Sequence, residues 1–278
     1  MNDSVNTINE QAAAKAFSKQ ASVFDEQYTS DTIIQYKRKR VRDHVLQHLK
    51  PNSSILELNA GTGEDAIFFA QCGHTVHATD ISDPMLGKLK EKASMKGLQM
   101  RIGNEICSFT ELDKLSNRGP FDLIFSNFAG LNCTNNLSKV LFSFDSLLKP
   151  GGIVTLVVLP KFCLWEFMLV FKGKFKTAFR RFAGNKGATA HIEGEYFKCW
   201  YYNPSFIKKH LKVSFDMISL EGLCTLVPPS YLEGFAVKHP KIYQSLLSKE
   251  NKWKAFWPWK IIGDYYIITL RKKQDKTA

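Results

Sequence analysis

The stretch ILELNAGTGEDAIFFA, residues 55–70, constrains the fold more than any other part of the chain. Its first apolar residues predict a short strand, 59–63 predict a turn, and 64–70 predict the start of a helix. Gly61 and Gly63 lack a Cβ, so the backbone there can take a positive φ angle and approach a ligand closely. This order of elements is typical of a nucleotide site at the carboxyl edge of a parallel sheet.

Asp80 ends the next apolar run, residues 75–79. A carboxylate at the tip of a second strand suits the two hydroxyls of a ribose, because it offers two acceptor oxygens. The letters GTGEDA also fit the G-x-G-x-x-A form of a dinucleotide fingerprint, so an NAD(P)-dependent oxidoreductase stays open as an alternative. Glu57 argues against it, since a carboxylate two residues before the loop would repel a pyrophosphate and would accommodate a cationic ligand.

These motifs resemble the class I S-adenosylmethionine-dependent methyltransferases of the small-molecule type. Glu57, Gly61 and Gly63 match the first motif of that family, and Asn59 stands where the family usually has another glycine. FDLIFSN and LLKPGG then follow in the family's order, so the resemblance covers residues 55–159. It implies S-adenosyl-L-methionine as the cofactor and methyl transfer to a small, hydrophobic or aromatic metabolite, with O-, N- and C-methylation all open.

The resemblance also implies a cofactor site along the strand tips. The residues assigned to it are Tyr28, Glu57, Asn59, Ala60, Gly61, Gly63, Asp80, Ile81, Met85, Asn104, Glu105, Ile106, Asn127 and Phe128. Asn104 and Glu105 stand nearest to the place where the family commonly carries an aspartate that bonds the adenine amine. Either of them is therefore a candidate for reading the base.

Three residues are candidates for a general base, should the acceptor need to lose a proton: His191, Glu166 and Tyr28. Tyr28 lies in FSKQASVFDEQY, residues 17–28, which resembles the segment that folds over the cofactor in small-molecule methyltransferases. For all three residues a structural role is the competing interpretation. No metal site is predicted, because the six cysteines are scattered without a C-x-x-C pair.

Short apolar strands alternate with helices, which predicts a doubly wound, Rossmann-like α/β fold with a seven-stranded, mostly parallel sheet, an antiparallel last strand and helical cap insertions. Strands are expected at 54–58, 75–79, 98–102, 121–126, 153–159, 215–223 and 264–271. Helices are expected at 64–71, 84–96 and 137–148. We divide this single domain into an N-terminal helical lid (1–50), a cofactor-binding core (51–159), a cap insertion (160–202) and the C-terminal part of the core with a substrate-side insertion (203–278).

The cap insertion carries aromatic and basic residues at helical spacing. Phe171, Phe175, Phe179 and Phe182 share one face of the expected helix, and Gly173 predicts a bend within it. Such a basic amphipathic helix can close the core, cover a lipophilic pocket or contact an anionic membrane peripherally. All three interpretations stay open.

The net charge of +12 allows nucleic acid, an anionic membrane or an anionic substrate as partner, or only solvated lysines. We expect the run YKRKRVR, residues 36–42, to be a solvated helix face rather than a nucleic-acid patch. Methyltransferases that modify base amines typically carry Asn/Asp-Pro-Pro-aromatic where this chain has Asn127-Phe128-Ala129-Gly130. Nucleic acid is therefore disfavoured, although a nucleic-acid methyltransferase and an inactive cofactor-binding scaffold remain alternatives.

The polar start of the chain lacks a secretion signal, and the dispersed cysteines fit a reducing compartment, so a cytoplasmic location is expected. The oligomeric state is left open.

Overall fold

The computed structural model describes residues 2–21, 25, 31–232 and 234–274, without the side chains of residues 2–7. The strands are β1 (Ser54–Leu58), β2 (Thr75–Asp80), β3 (Ile102–Ile106), β4 (Phe121–Ser126), β5 (Leu148–Val158), β6 (Ala188–Ile192), β7 (Glu195–Cys199), β8 (Phe215–Leu223) and β9 (Tyr265–Lys272). The α-helices are α1 (Asn2–Gln20), α2 (Thr32–His48), α3 (Glu64–Gln71), α4 (Asp83–Met95), α5 (Leu137–Leu147), α6 (Leu164–Phe167), α7 (Phe175–Phe179), α8 (Pro204–Leu211), α9 (Phe235–Lys238) and α10 (Pro240–Trp253).

Seven of the strands form one sheet in the order β3-β2-β1-β4-β5-β9-β8. Strands β1 to β5 are parallel, and β9 runs antiparallel to both β5 and β8. This confirms the expected Rossmann-like fold with its antiparallel last strand. The strand order reverses between β1 and β4, and a crevice at the carboxyl ends of such strands is where ligands bind in open α/β sheets.

The core lies on both faces of the sheet, because alternate residues of each strand point to opposite sides. On one face Ile55 packs with residues of α2, α3 and α4. On the other face Leu56 and Leu58 pack with α5 and α8. Glu57 alternates with Leu56 and Leu58, so it belongs to the α2 and α3 face.

The expected strand at 98–102 is wrong, since β3 covers Ile102–Ile106. Leu98 and Arg101 instead form a turn, in which the Leu98 amide bonds to the Ala93 carbonyl and the Arg101 amide to the Leu98 carbonyl. Met100 is 95% exposed, so the alternating apolar residues Leu98, Met100 and Ile102 do not form one buried face of a strand. The true strand is set by its pairing with β2, from Val76 opposite Ile102 to Asp80 opposite Ile106.

The solvated face expected for the basic run of α2 is also wrong. Lys37, Arg38 and Arg40 are buried, and of the five basic residues of this run Lys39 is the exposed one. The Arg40 guanidinium lies 3.0 Å from the Glu221 carboxylate. These residues point inward because α2 packs between α3 and the C-terminal strands, where buried carboxylates need partners.

The cap insertion forms short helical turns instead of one amphipathic helix. After α6, residues 168–172 form a 3-10 turn that ends at Gly173, whose φ of +69° begins a reversal into α7. The predicted bend at Gly173 is thus present, as a full break in the helix. The remainder of the insertion forms a hairpin of β6 and β7 that is separate from the main sheet.

A buried ion cluster fixes the cap to the sheet. Glu166 accepts hydrogen bonds from Arg180, at 2.8 and 2.7 Å, and from the Nε of Arg181 at 2.9 Å. Arg181 also donates to Asp264, immediately before β9, at 2.7 Å. Burial by itself would raise the pKa of Glu166, but the hydrogen bonds from the two arginines lower it below its ordinary value.

Among the described residues, no helix has both the length and the hydrophobicity that crossing a bilayer requires.

Replacing Glu166 tests this anchor. Glu166→Ala leaves Arg181 buried without its main partner, so we expect the free energy of unfolding to fall by about 3–5 kcal/mol in denaturant titration. The difference between wild type and variant should shrink below about pH 4.3, because protonating a carboxyl with a lowered pKa removes the same interaction. Glu91→Ala, which breaks an exposed pair with Lys88, is the control and should change stability by less than about 1 kcal/mol. Equal effects of the two variants would contradict the anchor.

Gly63 offers a second test with a matched glycine. A Cβ at Gly63 would lie 2.0 Å from Leu89 Cδ1, whereas one at Gly97 would meet nothing within 4 Å, and both residues have positive φ angles. Gly97→Ala should cost about 1–2 kcal/mol through backbone strain alone. Gly63→Ala adds overpacking of about 1–3 kcal/mol, so its melting temperature should fall clearly further. Similar losses would show that the packing of α3 on α4 tolerates the methyl group.

Candidate functional site

A cavity lies at the carboxyl edge of the sheet, over the tips of β1, β2, β3 and β4. The predicted residues that line it are Glu57, Asn59, Ala60, Gly61, Asp80, Ile81, Met85, Asn127 and Phe128. Helix α1 forms its roof, to which Glu10, Ala13, Ala14 and Phe17 contribute. The cavity therefore brings together the glycine turn, the β2 carboxylate and the β4 tip.

The turn after β1 leaves space for a ligand at one glycine and uses another for packing. Gly61 has a φ of +56°, and a Cβ built on it meets nothing within 4 Å. Gly63 lies behind the turn, against Leu89, and does not face the cavity. Asn59 replaces the expected glycine at a φ of +48°, a conformation that asparagine adopts more readily than most residues. Its side chain also accepts from Ser126 at 2.7 Å, which joins the ends of β1 and β4.

Asp80 is held in a fixed orientation at the tip of β2. One carboxylate oxygen accepts from the Gly61 amide at 2.9 Å and the other from the Ser82 amide at 2.8 Å. Burial raises the pKa of Asp80, and these two amides offset part of that effect. Each oxygen retains a lone pair, so the carboxylate can accept from two neighbouring hydroxyls.

Glu57 is the most unusual group of the site. It is buried at the tip of β1, and its Oε2 atom has no hydrogen-bond partner among the described residues. Burial raises its pKa well above the ordinary value, and the neighbouring Asp65 carboxylate raises it further. A carboxyl in this setting favours a cationic ligand group, because such a group would supply the missing partner.

Two side chains of α2 carry positive charge to this end of the cavity. Arg38 lines it, lies 3.1 Å from Glu64, and has a buried Nε atom without a partner among the described residues. Arg42 bonds Asp65 at 2.6 Å, and the Asn127 amide donates to the other oxygen of Asp65 at 2.7 Å. Sequence analysis missed Arg38 because the basic run was interpreted as a solvated face.

Glu10 was also missed, although it lies in the cavity wall. Its Oε2 accepts from the hydroxyls of Ser108 and Thr110 at 2.6 and 3.0 Å, and its buried Oε1 has no partner among the described residues. Burial raises its pKa. The neighbouring Asn9 amide donates to the carbonyls of Cys133 and Lys198, which fastens α1 to the hairpin and to the turn after β4. The sequence shows a helix here but contains no signal for what it covers.

The structure places the candidates for adenine recognition away from the cavity. Asn104, Glu105 and Ile106 lie within β3, and Glu105 bonds His77 and Ser116. The residues that follow the strand and line the cavity are Cys107, Ser108 and Phe109. This difference arises directly from the strand boundary that was placed four residues early.

The three candidates for a general base lie elsewhere or outside the described residues. Tyr28 falls outside them. His191 stacks on Tyr196 with ring centroids 4.3 Å apart, on the exposed face of the hairpin, while Ala190 and Ile192 face α1. Both carboxylate oxygens of Glu166 accept from arginines in the cap anchor. We therefore assign structural roles to Glu166 and His191.

Cys163, Glu166 and Asp264 form a group of three residues whose ligand atoms lie within 4.8 Å of one another, the arrangement that a metal site requires. Arg180 and Arg181 already bond the two carboxylates, and their charges balance the group. We assign this cluster to the cap anchor.

Residues 55–152 match the family model described as a methyltransferase domain. A methyltransferase of Synechocystis that is itself uncharacterized is 29% identical over 133 residues, which are 46% of this chain and 59% of that protein. The tRNA 5-carboxymethoxyuridine methyltransferase of Escherichia coli is 26% identical over 238 residues, 84% of this chain and 86% of that protein.

The fold is similar to that of 1,6-didemethyltoxoflavin-N1-methyltransferase from Burkholderia thailandensis, solved with 1,6-didemethyltoxoflavin and S-adenosylhomocysteine bound. The TM-score is 0.57 at 16% identity, with 95% of this chain and 88% of that chain covered. Residues 55–152 thus match a methyltransferase domain, and the chain has the Rossmann-like fold of methyltransferases; both similarities support S-adenosyl-L-methionine as the cofactor.

Proposed function

We propose that the protein transfers a methyl group from S-adenosylmethionine to a small, hydrophobic or aromatic metabolite. The observation that carries the cofactor part is the buried Glu57 Oε2, which has no partner among the described residues and lies in the same cavity as Gly61 and Asp80. An ammonium group satisfies this oxygen, and a ribose diol suits Asp80. Arg38 is suited to the carboxylate of the same amino-acid end, because its Nε has no partner in the part of the chain that the structure describes and can donate.

The purine end of the cofactor fits a slot beyond the tip of β2. Ile81 and Met85, beyond this tip, and Ala13 and Ala14 of the roof contribute apolar lining to the cavity. At the polar end of this slot we assign Glu10 Oε1 as the acceptor for the exocyclic amine of adenine. Ser108 follows the tip of β3, near the place where related enzymes commonly carry an aspartate that bonds the adenine amine. In this chain we assign that role to the carboxylate of Glu10, which comes from α1.

The bound cofactor supplies a methyl group already activated by the sulfonium. The chain's own residues contribute orientation and exclusion of water, which are the effects that an in-line transfer needs. Asn127 and Phe128 limit the cavity beside Glu57, while α1 covers it from above. Neither His191 nor Glu166 is part of this proposal.

The acceptor side supports an aromatic substrate. The Phe128 ring contacts the Tyr265 ring, with centroids 6.1 Å apart, and Lys37 Nζ lies 5.5 and 5.1 Å from these two ring centroids. Lys37 is buried, and its hydrogen bond goes to the Ser230 hydroxyl at 3.2 Å. Of these three groups Phe128 lines the cavity, and its ring favours a planar, aromatic acceptor.

Methylation of a tRNA base is the second candidate function. It is favoured by the alignment with the Escherichia coli tRNA enzyme, which extends over 84% of this chain. The net charge of +12 supports it too, although Lys37, Arg38 and Arg40 are buried. Labelled S-adenosylmethionine offered with total tRNA and, separately, with a metabolite extract distinguishes the two functions by which fraction takes up the label.

Asp80 provides the first binding test. We expect calorimetry to show S-adenosylhomocysteine binding to the wild type and a loss of about 10- to 100-fold for Asp80→Asn, since hydrogen bonds to a charged group contribute about 1.5–3 kcal/mol. Asp83→Asn is the control, because this exposed carboxylate lies outside the cavity. Binding of NAD with no response to S-adenosylhomocysteine would contradict the proposed function.

Glu10 is tested by a ligand that differs only in the base. S-inosylhomocysteine carries a carbonyl where adenosine carries the amine, so the group at this position of the base cannot donate to Glu10. We expect the wild type to prefer S-adenosylhomocysteine by about tenfold or more and Glu10→Gln to narrow this ratio, because an amide can also donate to the carbonyl. Glu111→Gln, a nearby change in a half-exposed side chain that pairs with Lys114, should keep the wild-type ratio. An unchanged ratio in Glu10→Gln, with S-adenosylhomocysteine still bound, would overturn the role of Glu10 alone.

A further inference from the structure

The cap exposes a group of large apolar side chains, which we call the cap surface and define by Phe167, Met168, Phe171, Phe175, Phe179 and Phe182. Their exposed fractions are 39, 46, 86, 57, 49 and 55%. Ring centroids lie 6.3 Å apart between Phe167 and Phe179 and 6.2 Å apart between Phe179 and Phe182, so these three rings form a continuous patch. Met168 and Phe171 lie in the turn that follows Phe167, and Phe175 lies on the same helix as Phe179. Scattered exposed apolar residues need no explanation, but a continuous patch marks an interaction site.

The tip of this surface alternates aromatic and basic residues. Residues 171–176 read FKGKFK, and every one of them is exposed. The positive φ of Gly173 reverses the chain between the two halves, so Phe171 and Phe175 lie on either side of the turn. Lys172, Lys174 and Lys176 form no ion pair with any residue that the structure describes.

The charge of the cap is uncompensated on its outer side. Residues 167–186 contain six basic residues and no acidic one. Arg180 and Arg181 bond Glu166 beneath the patch, so the positive charge that faces outward comes from lysines. Glu166, Arg181 and Asp264 hold the base of the cap rigidly, which keeps the aromatic rings on the surface.

We propose that the cap surface docks on an anionic lipid bilayer. Exposed phenylalanines can enter the headgroup and acyl boundary, while the lysines beside them stay at the level of the lipid phosphates. Each lysine near an anionic leaflet contributes about 1 kcal/mol. The positive charge of the cap surface is complementary to the anionic lipid headgroups. Its phenylalanine rings leave water and pack against the acyl chains of the lipids.

Two other occupants fit the observations less well. A second copy of the chain would bring the same lysines face to face across a two-fold axis, where like charges repel. Nucleic acid is read mainly by arginine with hydrogen-bonding side chains, but both arginines of the cap are engaged by Glu166. Both occupants are outcomes of the experiment below.

The bilayer proposal also agrees with the position of the cap. The insertion leaves β5 at its carboxyl end, and Asp264 precedes β9 at the same edge, where Val158 pairs with Tyr266. The cofactor cavity lies at this edge too. Docking through the cap surface would therefore hold the cavity edge of the sheet near the membrane.

Co-sedimentation with vesicles tests the proposal on the full chain. We expect binding to vesicles of equimolar phosphatidylcholine and phosphatidylglycerol, and little binding to phosphatidylcholine alone. The triple variant Lys172→Gln, Lys174→Gln, Lys176→Gln should lower the partition coefficient by roughly a hundredfold, as three lysines of about 1 kcal/mol each imply. Lys90→Gln, Lys96→Gln, Lys212→Gln removes the same charge from exposed sites elsewhere and should retain most of the binding.

The aromatic residues have their own matched control. Phe171→Ser with Phe175→Ser should lower the partition coefficient by at least about tenfold, because burying even one of the two rings contributes about 1.5–3 kcal/mol. Met95→Ser with Met100→Ser changes two residues that are 80 and 95% exposed outside the cap, and it should leave binding unchanged. Unchanged melting temperatures establish that all variants are folded.

Three results would overturn the proposal. The first is equal binding to neutral and anionic vesicles, and the second is anionic binding that the cap variants do not weaken. The third is a cap-dependent dimer or RNA complex, seen by light scattering or filter retention, without vesicle binding. None of these readouts depends on methyl transfer, so they stand apart from the outcome of the S-adenosylhomocysteine titration.

Discussion

The carboxylate of Glu57 is buried at the tip of β1, and the charged groups around it are arranged to suit this buried acid. An unpaired ionised carboxylate in such a place is costly, and the raised pKa of Glu57 expresses that cost. The two nearest carboxylates are neutralised by other groups: Arg42 and Asn127 bond Asp65, and two backbone amides bond Asp80. Of these three carboxylates, Glu57 is the one with an oxygen that has no hydrogen-bond partner among the described residues, which makes it the natural partner for a cation from outside the chain.

This arrangement explains why α2 is basic on its inner side. Its arginines extend to carboxylates on α3 and β8, and Arg38 reaches the cavity wall itself. The helix therefore contributes charge balance in addition to the apolar packing of Val41 and Val45. Three of the five basic residues of this run are buried, so the net charge of +12 overstates the positive charge that the surface offers to a partner.

The N-terminal helix and the cap insertion support the cavity together. Asn9 bonds the backbone of both the hairpin and the turn after β4, and Phe17 packs on Phe197 with centroids 5.9 Å apart. The hairpin thereby positions the roof that carries Glu10. The helical part of the insertion is anchored through Glu166 and Arg181 and exposes its rings and lysines on its outer side. One insertion thus supports the roof of the cavity and presents a separate surface.

The sequence by itself determined the elements whose signals are local. The bounds of β1, α3 and β4 agree with expectation, because an apolar run and a glycine turn specify them without help from distant residues. The tertiary structure decided the rest: where β3 begins, which way α2 turns its arginines, and that Glu10 reaches the β3 tip. These depend on pairing partners 26, 181 and 98 residues apart, from Val76 with Ile102, Arg40 with Glu221 and Glu10 with Ser108. Local periodicity reports which face of a segment is apolar, but burial of a charge depends on a partner that only the folded chain brings near.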